Sequence, residues 1–218
     1  MPKHSRWDLP LTLLGAVVVV LLFTSFVAKP FSIPSGSMEN TLQVGDRVLV
    51  NRIVYHLRPI ERGDVVVFDG TDSFVAQGSV PSRDPIRGLI TNIGQSVGLI
   101  APDGTDFVKR VVGVAGDHVQ CCSSQGALLV NGIALPETYL FPDDVASDVT
   151  FDAVVPVGKL WVMGDHRSNS ADSRAHLGDP GGGMVPTAKV IGRVMAVVWP
   201  PTRWGSVAIP QGYAKVAQ

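Results

Sequence analysis

Residues 107–117 read Phe-Val-Lys-Arg-Val-Val-Gly-Val-Ala-Gly-Asp, a valine-rich run that closes on a Gly-Asp pair. Branched side chains fit a pleated, half-buried surface, and the glycine and aspartate suit a tight turn. The run predicts a strand over Phe107–Val114, and the same grammar recurs along the chain. Short strand-like runs lie at Arg47–Asn51, Val65–Phe68, Ala127–Val130, Leu160–Met163 and Val190–Val198, separated by Gly, Pro and Asp. Further Gly-Asp pairs stand at Gly45-Asp46, Gly63-Asp64 and Gly164-Asp165. Arg62-Gly63-Asp64 would suggest an adhesion motif, but Val65-Val66-Val67-Phe68 follows it, so it reads as a turn entering a strand. The apolar stretch Val190–Trp199 carries Arg193 and stops at Pro200-Pro201, too short to cross a bilayer. The fold class is mainly β. Lys109 and Arg110 are neighbours in the run and point to opposite faces of a strand. One can then reach solvent, the ordinary place for a strand lysine, while the other enters an apolar site.

Composition narrows the function. Of 218 residues, 45% are hydrophobic and only 17% charged, and the mean hydropathy is +0.25. Such apolar content excludes disorder. Eighteen basic against nineteen acidic residues leave a net charge of −1, without the basic surplus that phosphate neutralisation needs, so no nucleic-acid partner is expected. Cys121 and Cys122 cannot build a disulfide framework or a tetrahedral zinc site unaided. Neighbouring cysteines bridge only with strain, which favours reduced thiols, while an oxidising exterior would favour a bridge, so the sequence leaves their redox state open.

Leu9–Ala28 runs for twenty positions without a charge, about 30 Å as a helix, which is the hydrocarbon thickness of a bilayer. Lys3 and Arg6 precede it, which favours the amino end inside. A cleaved signal peptide would have a shorter apolar core and a small-residue exit, whereas Phe26 sits at that exit. The expected division is a cytoplasmic terminus at 1–8, a single transmembrane helix at 9–28 and an extracytoplasmic domain at 29–218. Within the domain, 70–102 breaks the strand rhythm. Leu89, Ile90, Ile93, Val97 and Ile100 follow helical spacing only approximately, so the segment reads either as an amphipathic insert or as a surface loop. Trp199 and Trp204 flank the Pro-Pro turn and suit a headgroup zone, making membrane lipid an expected partner.

Two polar stretches carry the chemistry. Phe31–Leu42, FSIPSGSMENTL, sets two serines around a glycine; Met163–Arg174, MGDHRSNSADSR, is dense in donors and acceptors after a strand. Each alone is an ordinary loop. Together with Lys109 they resemble the bacterial type I signal peptidases, membrane-anchored serine proteases that cut leader peptides from exported proteins. Four stretches match in order behind the anchor: Ile33–Leu42, Gly45–Val50 (GDRVLV), Lys109–Asp117 (KRVVGVAGD) and Gly164–Arg174 (GDHRSNSADSR).

The resemblance implies coiled antiparallel β-sheets, no metal and no organic cofactor, and catalysis by a serine–lysine pair at the plasma membrane. It implies Ser37 as nucleophile, Lys109 as general base and Ser35 as an oxyanion-hole hydroxyl. Ser170 would orient the lysine, and Asp165, Asp172 and Arg174 would form a salt-bridged support. Ile33, Met38, Leu42, Phe107 and Val108 would line shallow pockets for signal peptides ending in the A-x-A pattern. Asn40 stands where the family more often has proline, and the family pattern does not call for a histidine at His166. The base must be neutral to accept a proton, yet a lysine of pKa about 10.4 is only about 0.4% neutral at pH 8. Burial must therefore lower it.

Overall fold

The computed structural model describes residues 12–13, 15, 27–75, 105–179 and 181–216. The expected cytoplasmic terminus 1–8, most of the expected membrane helix and 76–102 of the expected insert lie outside the described residues. No helix among the described residues is long and apolar enough to cross a membrane. One boundary moves. Ala28, set as the last residue of the anchor, is the first residue of a strand, where it pairs with Asn51.

The strands in chain order are β1 (Ala28–Ser32), β2 (Arg47–Asn51), β3 (Val65–Asp69), β4 (Asp106–Gly113), β5 (His118–Cys121), β6 (Leu129–Val130), β7 (Ile133–Ala134), β8 (Phe151–Val154), β9 (Lys159–Met163), β10 (Val185–Pro186), β11 (Val190–Trp199) and β12 (Gly205–Ser206). A one-turn helix, α1 (Val54–Leu57), follows β2. An eight-stranded sheet runs β1-β2-β11-β3-β4-β9-β10 with β12 on β11, and a four-stranded sheet runs β7-β6-β5-β8. The pairings are antiparallel. The mainly β expectation holds.

β3 is apolar from Val65 to Phe68 because both of its faces are covered there, as such runs require. Val65 and Val67 pack with Phe31, Leu42, Val48 and Val194 on one side. Val66 and Phe68 pack with Val111, Leu160 and Val162 on the other. A third cluster, around Trp161, Val119, Val130 and Tyr213, joins the small sheet to β4 and β9. Fully burying each such side chain contributes about 1.5–3 kcal/mol.

Three of the four Gly-Asp pairs named above are the turns foreseen. Gly45, Gly63 and Gly116 adopt φ of +88°, +88° and +90°, a region that glycine enters without steric penalty. Their aspartates each accept a hydrogen bond from the backbone N–H three residues earlier, at Gln43, Glu61 and Val114. Each is also buried against a distant arginine: Asp46 on Arg203, Asp64 on Arg58 and Arg193, Asp117 on Arg62. The fourth pair, Gly164-Asp165, is a different device, described below. Cys121 and Cys122, whose redox state the sequence leaves open, are joined in a vicinal disulfide.

What positions the site is an opening between two strand edges. β1 is the sheet's first strand, and β4 pairs with β9 only from Arg110 onward. The stretch 106–109 therefore shows an edge toward residues 31–38, and a groove of about 280 Å³ lies between them.

Candidate active site

Ser37 sits in a single 3₁₀ turn, Gly36–Met38, just after the proline-led exit from β1. The turn tucks its second residue inward, so Ser37 is buried at the floor of the groove. Lys109 reaches the same floor from the edge of β4, with only 4% of its surface exposed. Its Nζ lies 2.6 Å from Ser37 Oγ. Burial is the largest influence on this amine and pulls its pKa down to about 8, against the raising effect of the Asp172 and Asp165 carboxylates. A group with such a pKa is half neutral under mildly alkaline conditions and can accept the serine proton.

The other expected residues fall into place unevenly. Ser35 is exposed at the rim, its Oγ 3.5 Å from that of Ser37. Ile33, Met38, Phe107 and Val108 line the groove; Leu42 does not, being wholly buried in the core beneath β1 and β2. Asp172 and Arg174 form a buried pair, Arg174 Nη2 standing 2.8 Å from Asp172 Oδ2. Burial pushes the Asp172 carboxyl up, and the Arg174 guanidinium with the Gly164 N–H more than offsets this, holding it below the usual carboxylate range. Ser170 Oγ is buried beside Asp172 and helps hold that carboxyl down, and no hydrogen bond to Lys109 accompanies its expected orienting part.

The pairing of Lys109 and Arg110 differs from the sequence reading. Neither reaches solvent: Arg110 is 1% exposed. Its Nε and Nη2 donate to the two oxygens of Asp165 at 2.8 and 2.6 Å, and its Nη1 donates to Gly63 O. Thr41 Oγ1 donates to the same carboxylate. Asp165 thereby ties β4 to the turn that follows Ser37. Sequence reasoning missed this because Arg110 and Asp165 lie far apart along the chain, and a charged residue in a strand ordinarily faces water.

Gly164 explains itself by contact. A Cβ there would lie 2.4 Å from Ser37 O and 2.3 Å from Ser170 Oγ, so only glycine lets the 164–174 loop close against the Ser37 backbone.

The model of the family described as "Signal peptidase, peptidase S26" matches residues 6–199. The chain belongs to that family. Among similar proteins, a probable signal peptidase I of Mycobacterium leprae is 40% identical, over 94% of this chain and 80% of that one. A signal peptidase I of Mycobacterium tuberculosis is 42% identical, over 88% of this chain and 72% of the relative. A crystal structure of a signal peptidase I from Enterococcus faecalis is 22% identical with a TM-score of 0.40, over 63% of this chain and 97% of that one. As a member of the signal peptidase family the chain is a serine-type peptidase, a hydrolase that serves the removal of signal peptides.

Proposed function

We propose that this chain is a membrane-anchored endopeptidase that cuts preproteins after small residues, with Ser37 as nucleophile and Lys109 as its general base. The observation that carries this reading is the buried amine 2.6 Å from the serine oxygen at the floor of an open-edged groove. A peptide lying extended between β1 and β4 would pair its backbone with both edges and present alternate side chains to the groove. Ile33, Met38, Phe107 and Val108 leave shallow space there, suited to alanine and closed to larger groups. Neutral Lys109 takes the Ser37 proton as Oγ attacks the scissile carbonyl, then returns it to the departing amine. Ser35 Oγ and the Ser37 N–H are the donors placed for the developing oxyanion.

The anchor belongs to residues 9–27. Val27 O accepts a hydrogen bond from Arg52 N, so this segment meets the domain beside α1, whose Leu57 is exposed together with the preceding Ile53. Trp199 stands opposite Arg47, at the other end of the same ladder.

The test is to incubate the purified full chain with a preprotein and sequence the new amino terminus. Cleavage is expected after an A-x-A site and to be lost when the final alanine becomes phenylalanine. Equal cutting after an aromatic residue would overturn the substrate assignment.

The pH profile tests the base separately. Below its pKa, Lys109 is an ammonium and cannot accept a proton, so kcat rises with pH. With the amine held at about 8, the midpoint of that rise is expected near pH 8. A midpoint near 10 would mean an unperturbed lysine and would remove Lys109 from the role.

A further inference from the structure

Two residues at which this chain departs from the resembled pattern, Asn40 and His166, meet around the nucleophile's turn. His166 donates its backbone N–H to Ser37 O at 3.2 Å. Its ring Nδ1 stands 2.8 Å from Glu39 Oε2, and the ring stacks on Phe141 at 3.9 Å between centroids. The Glu39 carboxylate in turn lies over Gly36, where a Cβ would come within 2.8 Å of Oε2. Next to it Asn40 adopts φ +80°, a left-handed conformation that a proline, fixed near −65°, cannot take. The Asn40 amide donates to the carbonyls of Tyr139 and Leu140 at 3.0 and 2.9 Å.

The turn is therefore held from outside at each of its ends. A 3₁₀ turn of three residues has little rigidity of its own. The direction of the Ser37 N–H and Oγ depends on what fixes the flanking peptides. We propose that Glu39 and His166 are positioning residues for the nucleophile, acting as one unit: the imidazole holds the Glu39 carboxylate over Gly36 while its own backbone holds the Ser37 carbonyl. Neither touches the scissile bond. The inference rests on the reading of Ser37 as nucleophile.

The unit predicts a particular pattern in the kinetics. Misplacing an attacking group by a fraction of an ångström slows chemistry more than it weakens binding, so Glu39→Ala and His166→Ala should each lower kcat about tenfold with little change in KM. Because both break the same contact, the double variant should be no slower than the slower single one. Glu39→Gln keeps an oxygen that accepts from Nδ1–H and should recover most of the rate. A merely structural pair would not show this recovery, nor a loss confined to kcat.

The experiment measures kcat and KM of the full chain and these variants on one preprotein, with Ser37→Ala alongside. Wild-type kcat in both single variants, additive losses, a loss carried by KM, or no recovery in Glu39→Gln would overturn the inference. If the double variant fails to fold, the comparison of Glu39→Gln with Glu39→Ala decides. Activity surviving in Ser37→Ala would instead remove the nucleophile reading and the positioning role with it. An inactive Ser37→Ala beside unaffected Glu39 and His166 variants removes the positioning role alone.

Discussion

Lys109→Met should leave a folded protein whose turnover is lower by about 10⁴–10⁶-fold, the range seen when one member of a nucleophile–base unit is removed. Methionine fills nearly the same volume as lysine and suits the burial that Lys109 already has. What disappears is the nitrogen 2.6 Å from Ser37 Oγ, and with it the only group hydrogen-bonded to that oxygen from β4. Lys109→Arg should not restore activity, since a guanidinium stays protonated and cannot act as a base. Ser37→Ala should lose as much, and the double variant no more, because the two act as a unit. The measurement is preprotein cleavage under conditions where the wild type completes many turnovers. A Lys109→Met variant within tenfold of wild type would sink the serine–lysine mechanism.

The second large effect is on stability. Asp165→Ala should cost about 3–5 kcal/mol, as breaking a buried pair does when one charge is left behind. Here the abandoned charge is Arg110, whose side chain is 2% exposed and whose Nε and Nη2 would lose both carboxylate oxygens. Removing both partners at once with apolar side chains, Arg110→Met with Asp165→Leu, should cost much less, because no unpaired charge remains. Denaturant titration of the two variants checks this. A single variant that loses less than about 1 kcal/mol, the worth of a surface pair, would show that Arg110 is solvated after all.

This buried pair also marks where reading the sequence reaches its limit. The turns at Gly45, Gly63 and Gly116 were legible because a turn is decided by neighbouring residues. The arginines that complete them were not: Arg203 meets Asp46 across most of the chain. For the same reason Arg110 was assigned a way to solvent, although its guanidinium lies over the Tyr139 ring and is bound by Asp165 and Gly63. β5 and β8 escaped notice because four residues each, His118–Cys121 and Phe151–Val154, are too few for an alternating pattern to stand out. The catalytic candidates were legible through the order of four stretches. Leu42 was placed in a pocket because the pattern gives which residues are near the nucleophile, not which side of the backbone they take.

The order of strands in the large sheet sets a timetable for the enzyme's own birth. The strand pair that leads to Ser37, β1 with β2, and the pair that carries Lys109, β3 with β4, are not neighbours; β11 lies between them. β11 is made from residues 190–199, long after Lys109 in chain order. A polypeptide whose residues 190–199 have not yet emerged from the ribosome holds Ser37 and Lys109 without the strand that sets one against the other. Such non-local pairings close last. A copy that lacks these residues therefore holds Ser37 and Lys109 on strand pairs that nothing yet brings side by side.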